Sequence, residues 1–156
     1  MNPFNAKKRG GNYLDQTRIM AYFSALGDEF PLEIVTNILG IQPTETYKKG
    51  DILNSPDNPN LTPTKIRRRT ETDWTFSTGY QVSYDINIQL EIILKTLNGK
   101  TQQLKELKEN YDLEYIIMVV IQVENNESPS MYLQKDIIDF VSAIQGEIHF
   151  DLYIIS

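Results

Sequence analysis

The chain contains no cysteine, which removes disulfides, thiol nucleophiles and thiolate metal sites together. Such a chain suits a reducing compartment, and a cytoplasmic location is expected. A single histidine, His149, is present, which is too few for the usual imidazole-based metal centres. There is no Gly-rich phosphate loop, no Gly-x-Ser-x-Gly elbow and no dinucleotide fingerprint. The longest apolar run, Tyr115 to Ile121, is seven residues, against roughly 20 needed to cross a bilayer as a helix. The basic cluster Lys7-Lys8-Arg9 is not followed by an apolar stretch, so no secretory signal is read. No cofactor, metal site or catalytic residue is assigned.

What is present is ordinary for a globular protein. At 156 residues, 40% hydrophobic and 23% charged, the chain is long enough for one domain with its own core. Residues 1–12 are polar, glycine-containing and aperiodic, and read as a flexible arm ahead of a single domain over 13–156. The net charge of −6 is unevenly spread: ten Lys/Arg against nine Asp/Glu through Thr75, then five against twelve from Phe76 onward. An acidic second half argues against nucleic acid and suits a basic partner.

The stretch Leu113–Val123 is apolar on both faces at its middle, which predicts an interior strand covered on both sides; if only one face is covered, Ile116, Met118 and Val120 become an exposed apolar patch, the best partner-binding surface in the chain. Gln16 to Ala25 alternates as a first strand, and Leu32, Val35, Ile38 and Leu39 form a helical stripe opened by Pro31 and closed by Gly40. Thr44 to Lys48 reads as a short strand and Lys65 to Thr70 as an edge strand blunted by charge. Between them the proline-rich segment 50–64 is the longest irregular stretch. Trp74, Phe76, Thr78, Tyr80, Val82 and Tyr84 alternate with smaller polar residues, predicting one strand with a packed aromatic face. Asp85 caps a helix carrying Ile86, Leu90, Ile93 and Leu97; Asn98-Gly99 then kinks it or, the favoured reading, separates a second helix with Leu104 and Leu107. Met131 to Leu133 reads as a short strand. A helix over Asp136 to Ile144, ended by Gly146, precedes a last strand with Ile148, Phe150, Leu152 and Ile154 on its dry face.

The expected architecture is therefore α+β: a mixed or mainly antiparallel sheet of about six strands packed with three to four helices. Strand, glycine-closed helix, strand recurs in both halves, the pattern of an internal duplication, although the residues barely match.

Several short motifs in order carry a family resemblance. They are Tyr22-Phe23-Ser24, Gly27-Asp28, Phe30-Pro31, Leu39-Gly40-Ile41, Pro43-Thr44 and Gly50-Asp51, then arginines ahead of Trp74 and Ser77, then Asp151-Leu152-Tyr153. From Gln16 to its end the chain resembles the bacterial family called domain of unknown function 4279. Leu32-Glu33 departs from it, where an acidic helix start directly after the proline is expected. The resemblance implies a small α+β bacterial cytosolic protein with no established catalytic residues. It also implies an immunity or partner-binding role, because relatives occur near toxin-type genes.

Three groups of residues are candidates for a site. His149 and Asp151, two apart on one strand face, have the types for general acid–base chemistry or half a metal site; the plainer reading is a solvated polar face. Arg67 and Arg69 project together from the Arg67-Arg68-Arg69 run, as a patch for phosphate or an acidic partner. The nearby aromatics Trp74, Tyr80 and Tyr84 share a face with Phe76 and Val82, which favours core packing over base stacking. Gly50 and Asp51 open the long loop, a plausible binding surface on a rigid scaffold. The expected function is a non-enzymatic protein-interaction module of immunity type, monomeric or homodimeric, engaging a basic protein and neither nucleic acid nor membrane. The alternative is a small-ligand binder or enzyme using His149, Asp151 and the arginine run.

Overall fold

The computed structural model describes residues 15–53 and 66–155; the expected arm over 1–12 and most of the 50–64 loop lie outside them. Ten elements follow in order: β1 (Arg18–Gly27), α1 (Leu32–Leu39), β2 (Glu45–Tyr47), β3 (Thr72–Ser77), β4 (Gln81–Val82), α2 (Ile86–Thr96), α3 (Thr101–Tyr111), β5 (Glu114–Glu124), α4 (Lys135–Ala143) and β6 (Glu147–Ile155). The strands form one open mixed sheet in the order β2-β3-β1-β5-β6, with β4 sharing the β3 edge of β1. Only β5 and β6 pair in parallel, joined by the α4 crossover that parallel neighbours require. The α+β expectation is met. No described helix is long and apolar enough to cross a membrane.

One face of the sheet makes the core. Ile19, Ala21, Phe23 and Ala25 from β1, Trp74 from β3, and Tyr115, Ile117, Val119, Ile121 and Val123 from β5 are buried in one cluster with all four helices. The helices bring Val35 and Leu39, then Ile86, Leu90 and Ile93, then Leu104 and Leu107, then Ile137 and Val141, all at the three-and-four spacing of an apolar stripe. Phe23 is the aromatic centre, 5.3 Å from the Tyr115 ring and edge-on to Trp74 at 6.3 Å; each such pair contributes about 0.5–1.5 kcal/mol beyond area burial. Two polar tips are satisfied inward: the Tyr115 hydroxyl donates to the Leu104 carbonyl at 2.6 Å, and Trp74 Nε1 donates to Thr36 Oγ1 at 3.0 Å. Local signals hold where they were strongest. Gly40 closes α1 in the left-handed conformation, Asp85 accepts from the Asn87 N–H at the start of α2, and α2 and α3 are separate helices.

Four expectations need correction. β5 is covered by described elements on one face only, because all four helices join the cluster on the other. The Trp74–Tyr84 strand is two strands. At Thr78 the hydroxyl accepts from the Ala21 N–H at 3.1 Å, in place of a backbone carbonyl, and Gly79 takes φ +69. The alternation restarts in the opposite phase, so Ser83 is buried while Tyr80, Val82 and Tyr84 are exposed. Of the expected strand at 65–70 the described residues keep only a single bridge, Ile52 to Arg68, and 131–133 forms none, the bridge beside it being Asp85 to Ser130. In β6 the dry face ends early: Ile148 packs against the core, but Phe150, Leu152 and Ile154 are exposed.

Candidate functional site

The face of the sheet that no described helix covers is the candidate site. Register aligns its side chains in rows running across strands far apart in sequence. One row is Glu45, Thr75, Ser24, Ile116 and Glu147; the next is Ser77, Tyr22, Met118 and His149; then come Met20, Val120 and Asp151, and finally Val82, Arg18, Gln122 and Tyr153. The middle of the face is apolar, built from Met20, Ile116, Met118 and Val120, whereas a solvated sheet face ordinarily alternates to polar residues. Around it stand the carboxylates of Glu45, Asp73, Glu147 and Asp151 against the guanidiniums of Arg18 and Arg69.

At the β4–β6 end the face deepens into a cleft of about 710 Å³ floored by Met20 and Val120. One wall holds Gln122 and Tyr80, with Gln122 Nε2 donating to the Tyr80 hydroxyl at 3.2 Å; outside the lining, Arg18 Nη2 donates to Gln122 Oε1 at 3.2 Å and its guanidinium lies 5.8 Å from the Tyr80 ring centre. The other wall is Asp151, which accepts from the Tyr153 hydroxyl at 2.8 Å. At the β2–β3 end a hydroxyl chain ends on a carboxylate. Thr75 Oγ1 donates to Asp73 at 2.6 Å, which leaves Ser24 as donor to Thr75, also at 2.6 Å. Arg69 lies 3.6 Å above the Tyr47 ring beside them.

The negative charge and burial of this face shift its titratable groups. The Tyr22 hydroxyl is pushed above its ordinary value, first by burial and then by the negative charges of Asp73, Asp151 and Glu45. Tyr153 is held up by its hydrogen bond to Asp151 and by that carboxylate's charge. Asp73 is itself raised, because burial outweighs the help it receives from Thr75 and Arg69.

The residues singled out in sequence separate into two places. Asp151 lines the cleft. His149 lies on the same face, as the alternation predicts, but its Nε2 is 2.9 Å from Glu147 Oε1, while Asp151 is engaged by Tyr153. Gly50 and Asp51 form a turn with Lys48, whose N–H donates to the Asp51 carboxylate at 2.8 Å. The Gly50 N–H and the Asp51 carbonyl bond the Arg69 backbone, and the Arg67 carbonyl accepts from the Leu53 N–H. Arg67 is exposed, and Arg69 reaches the face through Tyr47 and Asp73. A second and larger concavity, about 1040 Å³, lies between the start of α1 and β2. Glu29, Glu33, Lys48 and Lys49 line it with both signs of charge, so it selects no partner by charge. Among the described residues no three His, Asp or Glu side chains gather as a metal site.

Ile116, Met118 and Val120 lie on this face, as the one-sided reading of the Leu113–Val123 strand has it, whereas Met20, Tyr22, Asp73 and Tyr153 were not proposed as site residues from sequence. The available signal was the outward row of β1, where Met20, Tyr22 and Leu26 stand at positions that a solvated face fills with polar residues. The model of the family described as Domain of unknown function (DUF4279) matches residues 15–155. No curated protein and no solved structure matches the chain.

Proposed function

We propose that this chain, which belongs to the family Domain of unknown function (DUF4279), is a non-catalytic protein-interaction module of the cytosol, immunity-like in kind. Its uncovered sheet face docks a basic protein partner. The observation that carries this reading is an apolar sheet centre, half-buried Met20, Ile116 and Met118 beside a buried Val120, left without a described covering element and rimmed mainly by carboxylates. The apolar centre supplies the area whose removal from water drives association. Asp151, Asp73 and Glu45 supply the sign: they steer a Lys- or Arg-bearing surface toward the face and disfavour acidic partners. Tyr22, Tyr80 and Tyr153 add aromatic groups of the kind that contact cationic side chains.

The test is affinity capture from the native host at low salt, run in parallel on three proteins. These are the wild type, the face variant Asp73→Asn/Asp151→Asn, and a control altered on the exposed side of α3, Glu106→Gln/Glu109→Gln. A basic protein held by the wild type and the control, released by salt and missed by the face variant, supports the reading. Equal retention by the face variant overturns it. The cleft beside Asp151 favours a second reading, a small amine-bearing ligand, which would appear as a mass bound to the wild type alone in native mass spectrometry.

A further inference from the structure

The outer edge of β6 borders the docking face and shares Asp151 and Tyr153 with it. No described strand pairs with this edge, and the register of β6 with β5 runs unbroken from Glu147 to Ile155, without a bulge. Edge strands are normally short, bulged, or guarded by Lys or Pro. The opposite edge of the sheet follows that rule, since β2 is three residues long. β6 has nine residues, neither Lys nor Pro, and large apolar side chains open on both faces: Phe150 46%, Leu152 49%, Ile154 69%, Tyr153 49% and Ile155 41% exposed.

We infer that β6 pairs antiparallel with β6 of a second copy, about a two-fold axis perpendicular to the sheet at Leu152, making one continuous sheet through two chains. An axis of this kind keeps each face on its own side, so residues of the same face meet across it. With the axis at Leu152, Phe150 meets the partner's Ile154 and Leu152 meets its own copy, closing an apolar strip on the helix side. On the other side Asp151 meets the partner's Tyr153, whose hydroxyl already serves as donor to a carboxylate, and His149 meets the partner's Ile155. No like-charged pair is opposed. Moving the axis to Asp151 sets two carboxylates face to face, which is destabilising. Moving it to Phe150 leaves Ile154, the most exposed large apolar residue of the strand, unpaired. The two docking faces then lie on the same side of one sheet. Each chain carries −6, so salt strengthens this contact by screening repulsion, whereas it weakens binding of a basic partner.

The absence of cysteine makes the register directly readable, because each single-cysteine variant has one thiol. Directly opposed Cα atoms lie about 4.5–5.5 Å apart, inside the roughly 4.4–6.8 Å window for a disulfide. Leu152→Cys should therefore oxidise to a covalent dimer. Phe150→Cys and Ile154→Cys should not do so singly, since each lies about 13 Å from its own copy along the strand, but should cross-link when mixed. Sedimentation of the wild type from micromolar to hundreds of micromolar should show a dimer that salt favours. Leu152→Lys, at an exposed position that tolerates it, should remain folded by circular dichroism and monomeric. A wild type monomeric throughout that range overturns the inference. So do equal cross-linking at all three positions and a strongest self-cross-link elsewhere. Because the salt effect has the opposite sign and Asp73 stands on β3, three strands from β6, dimerisation unaffected by Asp73→Asn and partner binding weakened by it separate the two readings, so loss of dimerisation leaves the docking reading standing.

Discussion

Replacing Ile117 by alanine and, separately, Ile116 by alanine removes the same carbons from neighbouring residues of β5 that point to opposite faces. Ile117 is 1% exposed within the helix-covered cluster, while Ile116 is half-buried on the uncovered face between Ser24 and Glu147. At about 0.8 kcal/mol per buried carbon, the lost transfer free energy at Ile117 is about 2.4 kcal/mol. The cavity left in a closed core brings the total to about 3–4 kcal/mol. At Ile116 roughly half the transfer free energy is at stake and water fills the space, so about 1 kcal/mol is expected. For a chain of this size each kcal/mol moves the melting temperature by about 2–4 °C, so the two variants should differ by roughly 4–12 °C. Urea unfolding should show a lower midpoint for Ile117→Ala at unchanged slope. Equal losses would mean that both faces of β5 are closed, and the docking surface would not exist.

Asp73→Asn separates stability from binding. Its carboxyl is raised by burial, so the folded chain keeps that proton to higher pH than the unfolded chain does. Its contribution favours folding below the unfolded value and is lost as pH rises through the folded one. The variant should therefore be more stable than wild type at pH 7, with that advantage shrinking as pH falls in a series of urea midpoints, and should bind a basic partner about tenfold more weakly, near 1.4 kcal/mol. Asp85→Ala removes the acceptor for the Asn87 N–H and side-chain amide at the start of α2 and should cost about 1 kcal/mol by the same unfolding assay. Gly27→Ala would set its Cβ 2.9 Å from Leu113 and 3.0 Å from Phe30, an overpacking expected to cost about 1–3 kcal/mol, read as a lower melting temperature.

The periodic signals read well because they are local. α1 with its Gly40 end, the Asp85 cap and the alternation of β1, β5 and β6 each depend on residues within a few positions. What failed depends on contacts across the chain. Tyr80 and Tyr84 looked like core because alternation was carried through Gly79, whose positive φ resets the phase. Both faces of β5 looked buried because both are apolar, and only the placement of four helices on one side shows which is core. The candidate face was legible only in part: Ile116, Met118 and Val120 share a strand face in the sequence, but Tyr22, Met118 and Asp151 become neighbours only through pairings between β1, β5 and β6. The charge asymmetry along the sequence misled in part, since Glu45 and Asp73 of the less acidic half supply two of the rim carboxylates.

Carboxyl footprinting of the chain alone and in complex with the captured basic protein tests the docking face most directly. Shielding of Glu45, Glu147 and Asp151 on binding, with Glu91, Glu106, Glu109 and Asp139 of the helices labelled as before, is the expected result. Shielding of the helix carboxylates, with Asp151 and Glu45 unchanged, would contradict it.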